Sequence, residues 1–418
     1  MIEHGRDEVQ GFALAGTDLD TRRRLVVLGG GSPFAIGLID AIAGSPEAPP
    51  SDIVLCGRTP EATELVRTYG QAALAPRGWD VTCTTDPVRG LAGADVVLNQ
   101  IRYGGLDGRR RDERLAADLG VPADETLGPA GLAAAIRIAP GLADLARTLI
   151  AHCPEAVVLN LANPLGCSTA LLHRGGVTRA VGLCELPLVT ARQACGILGL
   201  PVSDVEWTYA GLNHRGFIHR LASRGRDLLE ELPATLGERT IGGITSAEIA
   251  SLGAIPMKHF ALLRAGREPA PSRTDLLAEL RRAILAELRA DPTVPPPSLG
   301  RRAQPWYRDA VAPMLAAISR REPRDLVVDL PSADGIVREV HATVSAEGVL
   351  PTPSGPPPPP VASWLARFEH HERRVLDAAV DPTPDTIHAA LEADPLVADS
   401  DVEDFTDRMC RAGTTSPP

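Results

Sequence analysis

A glycine-rich turn near the start of the chain is the first feature that could carry chemistry. Gly29, Gly31 and Ser32 follow the apolar stretch Arg24–Leu28, although Phe34 replaces the last glycine of the G-x-G-x-x-G pattern. A strand that ends in glycines and leads into a helix presents backbone N–H groups and a helix N-terminus to a pyrophosphate. The turn therefore predicts dinucleotide binding by these two glycines and the serine.

The end of the second predicted strand bears on the choice between NAD and NADP. An acidic residue at this place would bind the adenine ribose 2′-hydroxyl, but the chain has Cys56, Gly57, Arg58 and Thr59 there. An arginine suits a 2′-phosphate, whereas an arginine in a solvated loop would have no such role. NAD and NADP therefore both stay open, with Arg58 as a candidate cofactor-binding residue.

Alternating strands and helices are needed to position these turns. Buried-strand patterns recur at residues 24–28, 52–56, 95–98 and 156–159, and helical patterns at 33–44, 60–70 and 130–151. Continuous apolar strands that alternate with helices predict a parallel sheet covered on both faces. The expected fold class is therefore α/β, with a flexible extension over residues 1–20 and a Rossmann-type dinucleotide-binding domain over residues 21–200.

The pattern changes after about residue 200. Strand-like segments near 205–221 and 325–345 flank helical stretches at 274–290 and 362–395. The run Gly355–Pro360 is predicted to be a stiff surface connector, because consecutive prolines suit neither a helix nor a central strand. The sequence thus predicts a second, α+β domain over residues 201–418 for substrate and metal, with the active site in the cleft between the domains.

Composition and charge exclude several classes of protein. The chain has 418 residues, a formal net charge of −11 and no basic stripe, which argues against a nucleic-acid partner. Its seven cysteines are scattered without a paired spacing, which indicates reduced thiols inside a cell. We find neither an apolar signal core nor a segment long and apolar enough to span a bilayer. We therefore expect a cytoplasmic protein with no membrane partner.

A series of less common motifs runs through the chain in a fixed order. They are GGGSP (29–33), ADVVLNQIRYGG (94–105), RDER (111–114), DETLGP (124–129), NLANP (160–164), GLCELP (182–187), AGLNH (210–214) and AALEADPLV (389–397). In this order they resemble glycoside hydrolase family 4, the NAD- and divalent-metal-dependent glycosidases, over nearly the whole chain. The resemblance implies a sugar or glycoside substrate and a homodimer or homotetramer.

The chemistry that the resemblance implies is a redox-assisted elimination, not hydrolysis by two carboxylates. In such enzymes the nicotinamide removes a hydride from C3 of the sugar, which acidifies the proton at C2. A base then removes that proton and the C1 substituent leaves, after which water adds and the hydride returns. The metal, with Mn²⁺ as the leading candidate, polarises the oxygens at C2 and C3.

The resemblance also assigns the metal ligands. Cys184 and His214 match the positions that bind the metal in the family, and a thiolate with an imidazole suits Mn, Fe, Co or Ni. Taken alone, these two residues would say less, because a cysteine at a strand end is usually part of the core and a histidine after Gly-Leu-Asn could merely cap a turn. The metal site is therefore an implication of the family resemblance.

Four further polar residues lie within the matching motifs. Asn99 belongs to the cofactor-side motif, Asn163 to the element beside the nicotinamide and substrate, and Asn213 directly precedes the metal histidine. Asn163 and Asn213 could instead be satisfied turn residues. Arg102 could hold a substrate anion through its guanidinium, or it could be an ordinary surface arginine.

Two positions depart from the family pattern. Glu185 follows the metal cysteine, where some members have an aspartate that acts as the acid. It is predicted to protonate the leaving group. Alternatively, Glu185 could hydrogen-bond to a metal ligand, or it could itself be an additional metal ligand. His259 falls on the position of the tyrosine thought to take the C2 proton, and we predict that it is the replacement base.

The loss of the tyrosine keeps other functions open. The leading prediction is an NAD(P)- and metal-dependent glycosidase. If the elimination step is lost, the chain would be an NAD(P)-dependent oxidoreductase or epimerase acting on a sugar or cyclitol. A third possibility is a catalytically silent sensor that binds NAD(P) or a sugar, because fold alone does not fix function.

Overall fold

The computed structural model describes residues 8–14, 23–49, 51–264 and 272–412. Its strands are β1 (Phe12–Ala13), β2 (Arg23–Leu28), β3 (Ser51–Cys56), β4 (Asp80–Thr84), β5 (Val96–Asn99), β6 (Val157–Asn160), β7 (Ala180–Gly182), β8 (Glu206–Leu212), β9 (Arg215–Ser223), β10 (Arg226–Asp227), β11 (Ile255–Pro256), β12 (Arg324–Pro331), β13 (Val337–Ser345) and β14 (Gly348–Pro351). They belong to one sheet.

The helices connect and cover these strands. They are α1 (Ile36–Ala43), α2 (Pro60–Leu74), α3 (Pro87–Leu91), α4 (Gly105–Leu119), α5 (Gly128–His152), α6 (Leu165–Arg174), α7 (Leu186–Ile197), α8 (Leu228–Leu236), α9 (Ser246–Leu252), α10 (Arg273–Ala290), α11 (Ala312–Ala317), α12 (Pro359–Val380), α13 (Pro384–Ala393) and α14 (Val402–Arg411). Short 3-10 turns precede α1 and follow β11.

The first half of the sheet is parallel. Its strands lie in the order β4-β3-β2-β5-β6-β7, and every neighbouring pair is parallel. In order of appearance this is 3-2-1-4-5-6, the arrangement of dinucleotide-binding folds. Residues 25–28 of β2 are almost completely buried because helices cover both faces. The predicted Rossmann-type parallel sheet is confirmed.

The second half of the sheet is antiparallel. Beyond β7 the order is β12-β13-β8-β9-β10, and β7 joins β12 through the pair Gly182 and Asp329. Helices α5 and α12 then pack together across the two halves, with Leu142 and Phe368 in the same buried core. The α/β fold with a mixed second half is as predicted, while the boundary at residue 200 stays a prediction.

Two local expectations need correction. The run Gly355–Pro360 is not a connector throughout, because α12 begins at Pro359, and a proline in the first helical turn lacks only an N–H that would be unpaired anyway. Of the extension predicted over residues 1–20, the structure describes residues 8–14. There β1 pairs with β14, so this piece belongs to the sheet and is not a flexible tail.

Two features bear on the expected setting of the protein. All seven cysteines are free thiols, and five of them are buried. In the part of the chain that the structure describes, we find no helix that combines the length and the apolar character needed to cross a membrane.

Candidate active site

The glycine-rich turn follows β2 at the carboxyl edge of the parallel strands. The N–H groups of Gly29 and Gly30 donate to the carbonyl oxygen of Cys56 at 3.0 and 2.8 Å, which fixes the turn on β3. Gly29 has a φ of +85°, and a Cβ on Gly31 would lie 2.5 Å from Thr63 Oγ1. Both positions therefore require glycine. The absence of side chains there allows a pyrophosphate to approach the backbone closely. The turn fits a dinucleotide.

Ser32 and Asn99 lie at the same edge but in different surroundings. Ser32 precedes the 3-10 turn Pro33–Ala35, and its hydroxyl makes no capping hydrogen bond. Asn99 is fully buried at the end of β5, where its Nδ2 donates to Asn160 Oδ1 at 2.9 Å. The serine hydroxyl can therefore face a ligand, whereas the Asn99 side chain ties β5 to β6.

Glu125 joins two of the predicted substrate residues. It accepts hydrogen bonds from Arg102 Nη1 at 2.6 Å and from Asn163 Nδ2 at 3.1 Å, and it also pairs with Arg109. Although burial opposes ionisation, the two arginines lower the pKa of Glu125 far below its ordinary value. Arg102 and Asn163 thus converge at one point, and two arginines share one carboxylate there.

His214 lies at the tip of the hairpin that joins β8 to β9. The last pair before the tip is Leu212 with Arg215, and His214 has a φ of +65°. Its Nδ1 lies 3.0 Å from Thr126 Oγ1, so Nδ1–H can donate to the hydroxyl, and Nε2 is the nitrogen left to bind a cation. Burial, with His259 adding to the effect, lowers the pKa of His214 well below its ordinary value. The ring is therefore neutral, as metal binding requires.

His259 packs directly on His214. The ring centroids are 3.9 Å apart, and the planes differ by 11°. His259 Nε2 lies 3.6 Å from Asp124 Oδ2, and its Nδ1 is buried without a hydrogen-bond partner among the described residues. Burial lowers the pKa of His259 to about 4, although the charge of Asp124 opposes the shift. A neutral imidazole beside a carboxylate is an arrangement that can accept a proton.

Cys184 and Glu185 follow β7 and lead into α7. The Sγ of Cys184 lies 4.0 Å from Glu185 Oε2, and the cysteine is buried. Burial raises the pKa of the Cys184 thiol well above its ordinary value and also raises the pKa of Glu185. A bound cation would favour the thiolate. Glu185, with its raised pKa, is suited to donate a proton.

Asn213 is held by a buried carboxylate. Its Nδ2 donates to Glu339 Oε1 at 3.4 Å, and the other oxygen of Glu339 accepts from Tyr209. Asn213 Oδ1 is buried and has no hydrogen-bond partner among the residues described. An unpartnered amide oxygen next to His214, the predicted metal ligand, fits a hard divalent cation or a substrate hydroxyl.

Arg302 is a polar residue that the sequence analysis missed. Its guanidinium lies over the rings of Phe34 and Trp306, 4.8 and 5.0 Å from their centroids, and no described carboxylate pairs with it. Burial, reinforced by the positive charges of Arg273 and Arg102, lowers its pKa to about 10. A desolvated guanidinium among like charges favours an anionic ligand.

The structure groups only some of the predicted residues. Ligand atoms of Asp124, His214 and His259 lie within 4.8 Å of one another, and this described group does not include Cys184. Cys184 instead lines a cavity of about 60 Å³ with Trp207. The pairing of Cys184 with His214 at one cation therefore stays a prediction from the family.

Asp124, Glu125 and Thr126 were overlooked as functional residues. The DETLGP motif is part of the family resemblance, but nothing in its composition assigns a role to its polar side chains. Asp124 Oδ1 accepts from the N–H groups of Thr126 and Leu127, so a short turn aims all three side chains. An acid two residues before a threonine is also an ordinary turn signal, which is why the motif was uninformative by itself.

The match to known families covers both halves of the chain. A model of family 4 glycosyl hydrolases matches residues 24–200, and a model of the family 4 C-terminal domain matches residues 209–397. The chain belongs to family 4 of the glycosyl hydrolases. The resemblance inferred from the motifs is thus confirmed, as is the assignment to the glycoside hydrolases, and the oxidoreductase alternative is not favoured.

Similar proteins extend over nearly the same length. A probable 6-phospho-beta-glucosidase of Bacillus subtilis is 27% identical over an alignment 428 residues long. The alignment covers 93% of this chain and 96% of that protein. A 6-phospho-beta-glucosidase of Escherichia coli is 26% identical over 373 residues, which cover 80% and 82%. The structure of the Thermotoga maritima 6-phospho-beta glucosidase with manganese, NAD+ and glucose-6-phosphate has a TM-score of 0.82 at 21% identity and covers 94% and 98%. This last likeness shows a common fold.

Proposed function

We propose that this family 4 glycosyl hydrolase cleaves a 6-phospho-glycoside with the help of NAD and a divalent cation such as Mn²⁺. The relatives named above support the phosphorylated substrate and both cofactors. The observation in this chain that carries the proposal is Arg302, a partly buried guanidinium without a carboxylate partner among the described residues. Arg102 and Arg273 add positive charge beside it. A phosphate is the anion that this arrangement would bind best.

The remaining predicted residues take these roles. Gly29, Gly31 and Ser32 cradle the coenzyme pyrophosphate at the end of β2, and Asn99 holds the neighbouring strand end in place. Cys184 and His214 hold the cation. When bound, the coenzyme accepts and returns the hydride at C3, and the cation polarises the substrate oxygens at C2 and C3.

The substrate is oriented by a second group of side chains. Arg102 and Asn163, both held by Glu125, bind the sugar, and Asn213 offers it an unpartnered amide oxygen. Because these side chains are fixed by their neighbours before the substrate arrives, little conformational entropy is lost on binding.

Two side chains move protons in this proposal. Burial raises the pKa of Glu185, which favours its protonated form, and Glu185 gives that proton to the leaving oxygen. His259 accepts the proton from C2 in place of a tyrosine, and Asp124 stabilises the imidazolium that results. His259→Ala should abolish deuterium exchange at C2, whereas an undiminished exchange rate would exclude His259 as the base.

The decisive test is proton NMR in D₂O with the enzyme, NAD and Mn²⁺ over matched pairs of α- and β-glycosides with and without a 6-phosphate. Cleavage of the phosphorylated partner with deuterium incorporated at C2 is expected. Net reduction of the coenzyme without cleavage would point to an oxidoreductase, and binding without turnover to a sensor.

Variants of neighbouring arginines separate the phosphate role from general charge. Arg302→Ala should raise KM for the phosphorylated glycoside by at least about tenfold, as expected for the loss of a charge-assisted contact. Arg301→Ala is the matched control, since Arg301 is exposed and pairs with Glu279 at 2.9 Å. Equal effects of the two substitutions would remove Arg302 from the phosphate site.

Two broader predictions belong to the proposal. The free thiols support a cytoplasmic location. A homodimer or homotetramer rests on the family resemblance alone, and light scattering of the purified protein would measure it.

A further inference from the structure

We infer that the coenzyme pocket of this chain is built for a 2′-phosphate, so that NADP binds at least as tightly as NAD, with Arg58 as the residue that discriminates. The inference rests on the dinucleotide site of the proposed function and concerns its adenosine end. In folds of this strand order, the residues that follow the second parallel strand contact the adenine ribose. Here that strand is β3, and Gly57, Arg58 and Thr59 follow it.

No side chain, and therefore no carboxylate that could bind the ribose, fits at Gly57. A Cβ at this position would overlap Thr63 Oγ1 and would lie 2.8 Å from the Cα of Gly31. The backbone of Gly57 therefore touches the pyrophosphate turn itself, and no side chain fits between them. The close contact also means that Arg58 starts directly beside the coenzyme turn.

Arg58 is unengaged within the folded chain. It is exposed, and no described residue forms an ion pair or a hydrogen bond with its guanidinium. Thr59, the N-cap residue of α2, makes no side-chain capping bond, so its hydroxyl is also unused at the start of this helix. The guanidinium and the hydroxyl are both hydrogen-bond donors, and neither carries a negative charge. Beside the ribose position they therefore suit a 2′-phosphate.

The carboxylates near this edge are already occupied. Glu61, in the first turn of α2, pairs with Arg289 at 2.7 Å, and Glu64 pairs with Arg67 at 2.6 Å. Asp86 accepts from the N–H groups that begin α3. All three are thus engaged by donors of the chain itself, whereas NAD pockets normally present a carboxylate that binds the ribose 2′-hydroxyl.

Together these observations reverse the usual electrostatics of an NAD pocket. A carboxylate at the ribose would both bind the 2′-hydroxyl and exclude a 2′-phosphate. In this chain residues 56–59 contain no carboxylate, the steric contact at Gly57 excludes one at that position, and Arg58 supplies a cation. The 2′-phosphate would gain a charge-assisted contact that NAD cannot make.

The test is isothermal titration of the full-length protein with NAD, NADP, AMP and adenosine 2′,5′-bisphosphate. The last two probes isolate the adenosine end from the nicotinamide. The wild type should bind NADP at least as tightly as NAD, and Arg58→Ala should weaken NADP by about tenfold while leaving NAD within about twofold. Arg89→Ala is the control, because Arg89 is also an exposed arginine near the sheet edge.

The possible results separate the two proposals. Binding of NAD with a measurably weaker affinity for NADP would overturn the inference and leave the proposed function intact. Equal weakening of both coenzymes by Arg58→Ala would also overturn it, because a general structural role would then explain the effect. If neither coenzyme binds, the dinucleotide site of the proposed function fails as well. Thermal unfolding of both variants confirms that the fold is retained.

Discussion

Replacing Asp329 with asparagine should stabilise the protein at neutral and alkaline pH. Asp329 is fully buried on β12, and neither carboxylate oxygen has a hydrogen-bond partner among the described residues. Burial raises the pKa of Asp329 from 3.8 to about 8, and the nearby charge of Glu372 adds to the shift. The folded chain therefore keeps a proton on this carboxyl between about pH 4 and pH 8, where the unfolded chain releases it.

The sign and size of the effect follow from this difference. Since the folded state binds the additional proton, the contribution of Asp329 to stability is largest at low pH and is lost as the pH rises toward 8. At about 1.36 kcal/mol per pKa unit, the wild type should lose about 4 kcal/mol between pH 5 and pH 8 through this group. This figure is an upper bound, because Asp329 pairs across the strands with another buried acid, Glu339. An asparagine does not titrate and so removes the loss.

Reversible urea unfolding of the protein without coenzyme or cation, at pH 5 and pH 8, measures this prediction. The free energy of unfolding of Asp329→Asn, relative to that of the wild type, should rise by at least about 2 kcal/mol between pH 5 and pH 8. Asp118→Asn, an exposed position in α4, is the control and should show no such gain. Parallel pH profiles of the wild type and Asp329→Asn would refute the idea that the buried carboxyl is held neutral.

Three further changes test the site. Thr126→Val should weaken Mn²⁺ binding by about tenfold or more in calorimetry, because His214 loses the partner of Nδ1, whereas Thr126→Ser should bind normally. Gly31→Ala should abolish coenzyme binding without affecting Mn²⁺ affinity, since its Cβ would lie 2.5 Å from Thr63 Oγ1. Because burial lowers the pKa of His259 to about 4, stability should fall by about 3 kcal/mol as the pH drops from 6.5 to 4, and His259→Phe should flatten that profile in thermal unfolding.

The strands in the parallel half of the sheet could be predicted from the sequence. Apolar segments predicted at 52–56 and 156–159 correspond to β3 and β6 with shifts of one residue at their ends. These strands are buried on both faces, so their hydrophobic runs are continuous and easy to recognise. The single helical stretch predicted over 362–395 is two helices, because Thr383 caps α13 in a capping box with Thr386 and Pro384 begins the new helix.

The contacts that build the site could not be read in this way. Thr126 and His214 are 88 residues apart, and Asn213 and Glu339 are 126 residues apart. No local pattern reports such pairs, because periodicity and turn chemistry extend over only a few residues. Without the family resemblance, the glycine-rich turn would have been the one strong functional signal.

The backbone of His214 is strained in this arrangement. A φ of +65° is unfavourable for a residue with a Cβ, at a cost of about 1 kcal/mol or more, and a glycine would relieve it. The strain is retained because it turns the imidazole toward Thr126, which belongs to the parallel half, and against His259, which follows β11. A hairpin from the antiparallel half thus delivers its histidine to residues of the other half. The proposed cation site is therefore complete only when both halves of the sheet are folded and packed.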